Sequence, residues 1–111
     1  MSGDKGDEEE LDAIWSEHRP QTARRLELLR EIARAAAAGT LDDKGRAEGI
    51  AEAHTLAGAA SIFGFPDGTR LAREIERCLR DREASAAGLP GLADDLTRAI
   101  DRDRDARGPA G

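Results

Sequence analysis

His54 stands in the run Ala53-His54-Thr55-Leu56-Ala57-Gly58-Ala59-Ala60-Ser61-Ile62-Phe63-Gly64. An imidazole offers one nitrogen as donor and the other as acceptor or nucleophile, according to its tautomer. Here the ring is surrounded by side chains too short to fence it off, so something large can reach it. That points to chemistry performed on a partner protein and not inside a buried pocket. At about 100° per residue, Ala53, Leu56, Ala57, Ala60, Phe63 and Gly64 share one arc, the expected core face. His54 falls roughly 120° from the centre of that arc, at the boundary with solvent. Ala47, Ile50, Ala51, Gly58, Ser61 and Ile62 lie around it as a small, apolar patch, the kind of surface that docks a protein. An interior helical glycine costs about 1 kcal/mol relative to alanine. Gly58, one turn beyond His54 on the same face, therefore suggests that a side chain there would obstruct a visitor.

The other candidates are weaker. His18 closes a short helical pattern, where an imidazole suits the helix dipole, and is assigned no chemistry. Trp15 is read as an anchor over the bundle end. The single Cys78 has no partner for an internal disulfide and no CxxC companion. It falls among core positions and reads as inert packing. Two histidines without a ligand-spaced cluster give no support to a metalloenzyme or nuclease.

These residues need a scaffold, and the chain supplies helices. It is rich in Ala, Leu, Arg, Glu and Asp and contains no valine or tyrosine, a mix that favours helix over sheet. Residues 1–7 and 106–111 are polar or Gly/Pro-rich and are expected to be disordered tails around a domain at 8–105. Five helical patterns lie between them. The first is short, from about Glu8 to His18. Pro20 opens the second, which carries Leu26, Leu29, Ala33 and Ala36 and ends at Gly39. Asp42 or Asp43 caps the third, which runs to about Phe63. The fourth follows Pro66, carries Leu71, Ile75, Cys78 and Leu79, and stops at Gly88. Pro90 opens the fifth, with Leu92, Leu96, Ala99 and Ile100. One apolar face per helix and short connections imply an all-α, antiparallel up-down four-helix bundle with an additional short N-terminal helix.

Composition excludes several functions. The net charge of −6, with arginines interleaved among acids, is wrong for nucleic acid. No apolar run is long enough to span a bilayer, and the N-terminal residues lack the apolar stretch of a signal peptide, so a cytoplasmic setting is expected. There is no GxxxxGK[ST] and no kinase-type glycine-rich loop, so neither ATP binding nor autophosphorylation is expected.

The His54 segment resembles the histidine phosphotransfer (HPt) domains of two-component phosphorelays. The family pattern runs from a histidine through leucine, a basic residue, glycine and small residues to an apolar-Gly pair. Here it reads His54-Thr55-Leu56-Ala57-Gly58-Ala59-Ala60, then Phe63-Gly64, and a second family block appears as Leu71 and Ile75-Glu76. The resemblance implies a phosphoryl carrier without kinase activity of its own. His54 would accept the group from a phosphoaspartate receiver domain, or from a sensor or hybrid histidine kinase, and pass it to a response-regulator receiver. It implies no cofactor in this chain and a divalent metal on the partner receiver; a monomer is expected because the apolar stripes are used up inside one bundle. It also implies that Glu76 hydrogen-bonds the reactive histidine: a carboxylate accepting from Nδ1–H would leave the Nε2 lone pair free. One position departs from the family, which commonly has lysine or arginine where this chain has Ala57. Arg73 and Arg80, on one stripe with Glu76, are candidate replacements, or else members of a solvated salt-bridge ladder. Three other readings stand beside the carrier: an HPt-like docking module that carries no phosphate, a phosphodonor domain of a chemotaxis-type kinase assembly, and a plain helical adaptor.

Overall fold

A computed structural model describes the backbone of residues 2–107 and the side chains of Glu17 and of residues 19–103. Four helices account for it: α1 (Ser2–Ala37), α2 (Asp43–Ile62), α3 (Pro66–Arg80) and α4 (Leu89–Arg107). There is no strand among the described residues. Each helix packs on the next, and α1 closes the ring against α4. Cross-helix pairs fix the directions. Arg25 meets Glu52, His54 meets Glu76 and Asp67 meets Arg102. Gly49 lies against both Ile32 and Leu79, and Gly68 against Ile100. In each neighbouring pair the numbers rise on one helix as they fall on the other, so the bundle is up-and-down as expected.

The helix ends follow local chemistry. Asp42 caps α2, its Oδ1 accepting from the Gly45 N–H at 2.7 Å. Gly39 and Gly64 take φ of +75° and +73°, the left-handed conformation that stops a helix cheaply only at glycine. The Thr40 N–H then reaches back to Ala35 O, and the Phe65 N–H to Ala60 O, which satisfies carbonyls the helices leave open. Pro66 sits in the first turn of α3, where a missing N–H costs nothing.

Three expectations are corrected. The separate short helix ending near His18 is not present, because α1 is continuous through Pro20 and reaches back to Ser2. Pro20 is exposed, so water can satisfy the Ser16 carbonyl that loses its donor. The side chains of Trp15 and His18 lie outside the described residues, as do residues 108–111. Secondly, α3 ends at Arg80 and not at Gly88. Asp81 turns extended, its carboxylate accepts from the Glu83 N–H, and Ser85 Oγ accepts from the Ala87 N–H. Such side-chain-to-backbone bonds draw the chain away from helix. Thirdly, Gly64 is exposed and not on the core face. Once its φ turns positive the 100° period no longer applies.

The core is aliphatic, filled by Leu29, Leu56, Ile75, Leu79 and Leu96, with Phe65 sealing the α2–α3 end. Cys78 is only partly buried at its margin. Small residues set the helix spacing. A Cβ on Gly49 would fall 2.8 Å from Ile32 Cγ2 and 2.9 Å from Leu79 Cδ1, whereas one on Gly58 would meet nothing within 4 Å. Gly49 is thus demanded by packing and Gly58 is not. Gly49→Val should destabilise the bundle by about 1–3 kcal/mol through overpacking. Gly58→Ala should stabilise it by about 0.5–1 kcal/mol through helix propensity. Urea unfolding of both variants checks the opposite signs.

Candidate functional site

The seam between α2 and α3 positions the site. Ala53, Ala57 and Ala60 of α2, with Ala72 of α3, are buried, so these two helices approach closely. His54 stands just outside that seam with 76% of its side chain exposed. Its Nδ1 lies 3.3 Å from both Glu76 carboxylate oxygens, within ion-pair reach and slightly long for a hydrogen bond. Glu76 is far less open, at 15%. It also accepts from Arg80 through Nε at 3.1 Å and a terminal nitrogen at 2.9 Å, both on Oε2. Glu four residues before Arg is the favourable order for such a pair on a helix. The result is a short polar chain, His54–Glu76–Arg80, running along the rim of the seam.

Partial burial alone would push the Glu76 carboxyl upward, and it is the largest single influence. The hydrogen bond from Arg80, the one from His54 and the two positive charges together outweigh it, so the group titrates below its ordinary 4.5. Glu76 is therefore an anion at neutral pH and an acceptor only. An Nδ1–H donating to it leaves the Nε2 lone pair on the far side of the ring, facing solvent.

The residues expected to form a patch around the histidine are for the most part open to solvent. Ala47, Ala51, Gly58 and Ser61 are exposed, Ile50 is half-buried against the core, and Ile62 is 69% exposed. Ala57 is buried at 4%, on the core side as the wheel placed it. Of the two arginines, Arg80 joins Glu76. Arg73 does not reach it, although both share the stripe. Arg73 is exposed and lines a hollow of about 630 Å³ with Ser61, Gly64, Thr69 and Arg70.

One feature escaped the sequence. A mostly apolar hollow of about 450 Å³ lies between α1 and α2, lined by Thr22, Thr55, Gly58, Ala59, Ile62 and Phe63, with Gln21 and Arg25 from α1. It borders the patch, so the surface beside His54 is shared by two helices. The Arg25–Glu52 pair at 2.7 Å sets this register. That pairing of opposite charges on two apolar-striped helices was the one available signal.

Among the described residues, no group of three or more His, Cys, Asp or Glu side chains is disposed to hold a metal ion. No helix among them is long and apolar enough to cross a membrane. Compared with known proteins, the chain matches a family model described as "Hpt domain" over residues 16–106, a span that takes in all four helices. No curated protein and no solved structure matches it.

The Glu76 geometry carries a pH signature. Its folded carboxyl titrates lower than its unfolded one, so the stability it contributes is fully present above the unfolded value. That stability is lost as pH falls through the folded one. A carboxyl-carbon NMR titration should give a midpoint below 4.5 for Glu76, moving back up in Arg80→Ala, and Glu76→Gln should flatten this part of the acid-unfolding profile.

Proposed function

The chain belongs to the Hpt domain family, and on that premise we propose that Nε2 of His54 carries a phosphoryl group between the aspartates of receiver domains. Histidine phosphotransfer in phosphorelays is the business of this family, whose members are phosphocarriers and not kinases. The observation that carries the reading is the exposed His54 ring with Nδ1 held by an anionic Glu76, itself anchored by Arg80.

A phosphorylated receiver settles on the patch of Ala47, Ile50, Ala51, Gly58, Ser61 and Ile62. The Nε2 lone pair attacks phosphorus in line, an N–P bond forms, and the P–O bond to the aspartate breaks. The carboxylate leaves with its electron pair. The positive charge that develops on the imidazole is balanced by Glu76 through Nδ1–H, which keeps the ring oriented and its electrons available. Any divalent metal belongs to the receiver, which supplies most of the charge neutralisation on the transferring group. Delivery to a second receiver reverses these steps, and a sensor or hybrid histidine kinase is a further source of the group. We assign the activity to a monomer acting in the cytoplasm, with the helices' apolar faces spent on one another.

A second reading, a docking module that regulates its partner without carrying phosphate, is favoured by one observation: Ala57, buried and uncharged, where a cation would help hold phosphate. Incubation with a phosphorylated receiver separates the two. The carrier acquires an acid-labile, base-stable label that disappears in His54→Gln. A docking module binds the receiver with no label.

The open space over Gly58 gives the docking prediction. Gly58→Trp should fold, because nothing stands where its side chain begins. Transfer from a phosphorylated receiver should nevertheless slow by on the order of 10- to 100-fold, since a misplacement of about 1 Å at the reacting atoms costs about 10²-fold. Stopped-flow or quench-flow transfer rates check it.

A further inference from the structure

We propose that Arg73 is the cation that meets the phosphoryl group on His54, an inference that rests on the carrier reading above. Between encounters with a receiver, a cation in this chain would offset the charge that phosphorylation adds. Phosphorylation places nearly two negative charges on Nε2, beside a Glu76 carboxylate that is already an anion. Arg80 is already committed: its Nε and one terminal nitrogen donate to Glu76 at 3.1 and 2.9 Å, so its charge is largely balanced by that carboxylate. Arg70 pairs with Asp67 and Arg77 with Glu74. Arg73 is exposed and has no ion pair among the described residues.

Register places it within reach. α2 and α3 run antiparallel with His54 opposite Glu76. Three residues onward on α2 is Ala57, and three residues back on α3 is Arg73. Both steps move about 4.5 Å in the same direction along the seam. Arg73 therefore stands across the seam from the buried Ala57, at the same level. It shares its hollow with Ser61, which lies two turns beyond His54 on the same face of α2. An extended arginine spans more than one helical turn of about 5.4 Å, so its guanidinium can close on a group standing on Nε2. The charge that Ala57 cannot provide from α2 is thereby delivered from α3, and by a fork suited to two phosphoryl oxygens at once.

The test needs no receiver. Phosphoramidate phosphorylates an accessible histidine directly: Nε2 bonds to phosphorus as the P–N bond of the reagent breaks and ammonia leaves. The full chain is labelled this way, and the phosphoryl resonance of His54 is titrated by phosphorus NMR. A neighbouring cation favours the dianion, so Arg73→Ala should move the midpoint upward. For an exposed pair the displacement corresponds to about a two- to fivefold change in the ionisation constant. Arg73→Lys should restore most of it. A midpoint unchanged in Arg73→Ala overturns the proposal, as does a shift that appears in Arg80→Ala and not in Arg73→Ala. If His54 of the wild-type chain takes no label at all, it is the carrier reading that fails, and this inference falls with it.

Discussion

Helices α2 and α3 touch through some of the smallest side chains available, and that contact decides where everything at the site can be. Ala53, Ala57 and Ala60 of α2 and Ala72 of α3 are buried, and Gly68 of α3 lies against Ala60. Larger residues would hold the axes further apart, toward the upper end of the usual 8–10 Å. Nothing would then bring an imidazole on α2 and a carboxylate on α3 within 3.3 Å of each other. The same tightness makes the register rigid. Gly49 against Ile32 and Leu79, and Gly68 against Ala60, lock α2 to α1 and α3, while Gly68 against Ile100 ties α3 to α4.

On that seam a graded exposure does the chemical work. The core beneath is aliphatic, Glu76 is mostly covered, and His54 is mostly open. A fully exposed carboxylate would be screened by water and hold the ring weakly. A fully buried one would favour its neutral form. Glu76 sits between these limits, with Arg80 drawing it toward the anion. His54, in turn, keeps one nitrogen committed and one at large.

Much of this was legible in the residues. Helical periodicity placed the core stripes, Asp42 and Gly39 marked real ends, and the wheel put His54 at the boundary and Ala57 toward the core. Pattern matching on His54, Gly58, Phe63-Gly64 and Glu76 found the family. What could not be read depended on how whole helices meet or on competing local bonds. Pro20 reads as a helix start, yet an exposed proline interrupts α1 too little to break it. Asp81 and Ser85 end α3 early by bonding their own backbone, while Gly88 looked the better stop. Gly49 passed unnoticed because its value lies in two side chains from other helices. Likewise Arg73 and Arg80 are indistinguishable on a wheel, and only the fold shows that one is engaged by Glu76 and the other free to act elsewhere.

The two flanks of His54 differ in character. Toward α1 lies the hydrocarbon hollow with Ile62 on its lip, and toward α3 lie Ser61, Thr69 and an arginine. A body settling over the ring therefore finds oil under one edge and polarity under the other. Rotated by half a revolution it would press its greasy edge onto a guanidinium and strand its charged edge over hydrocarbon. For the receiver domain proposed above, the terrain beside the imidazole would work as a keyway, admitting it one way round and aiming the two reacting side chains at each other before either moved.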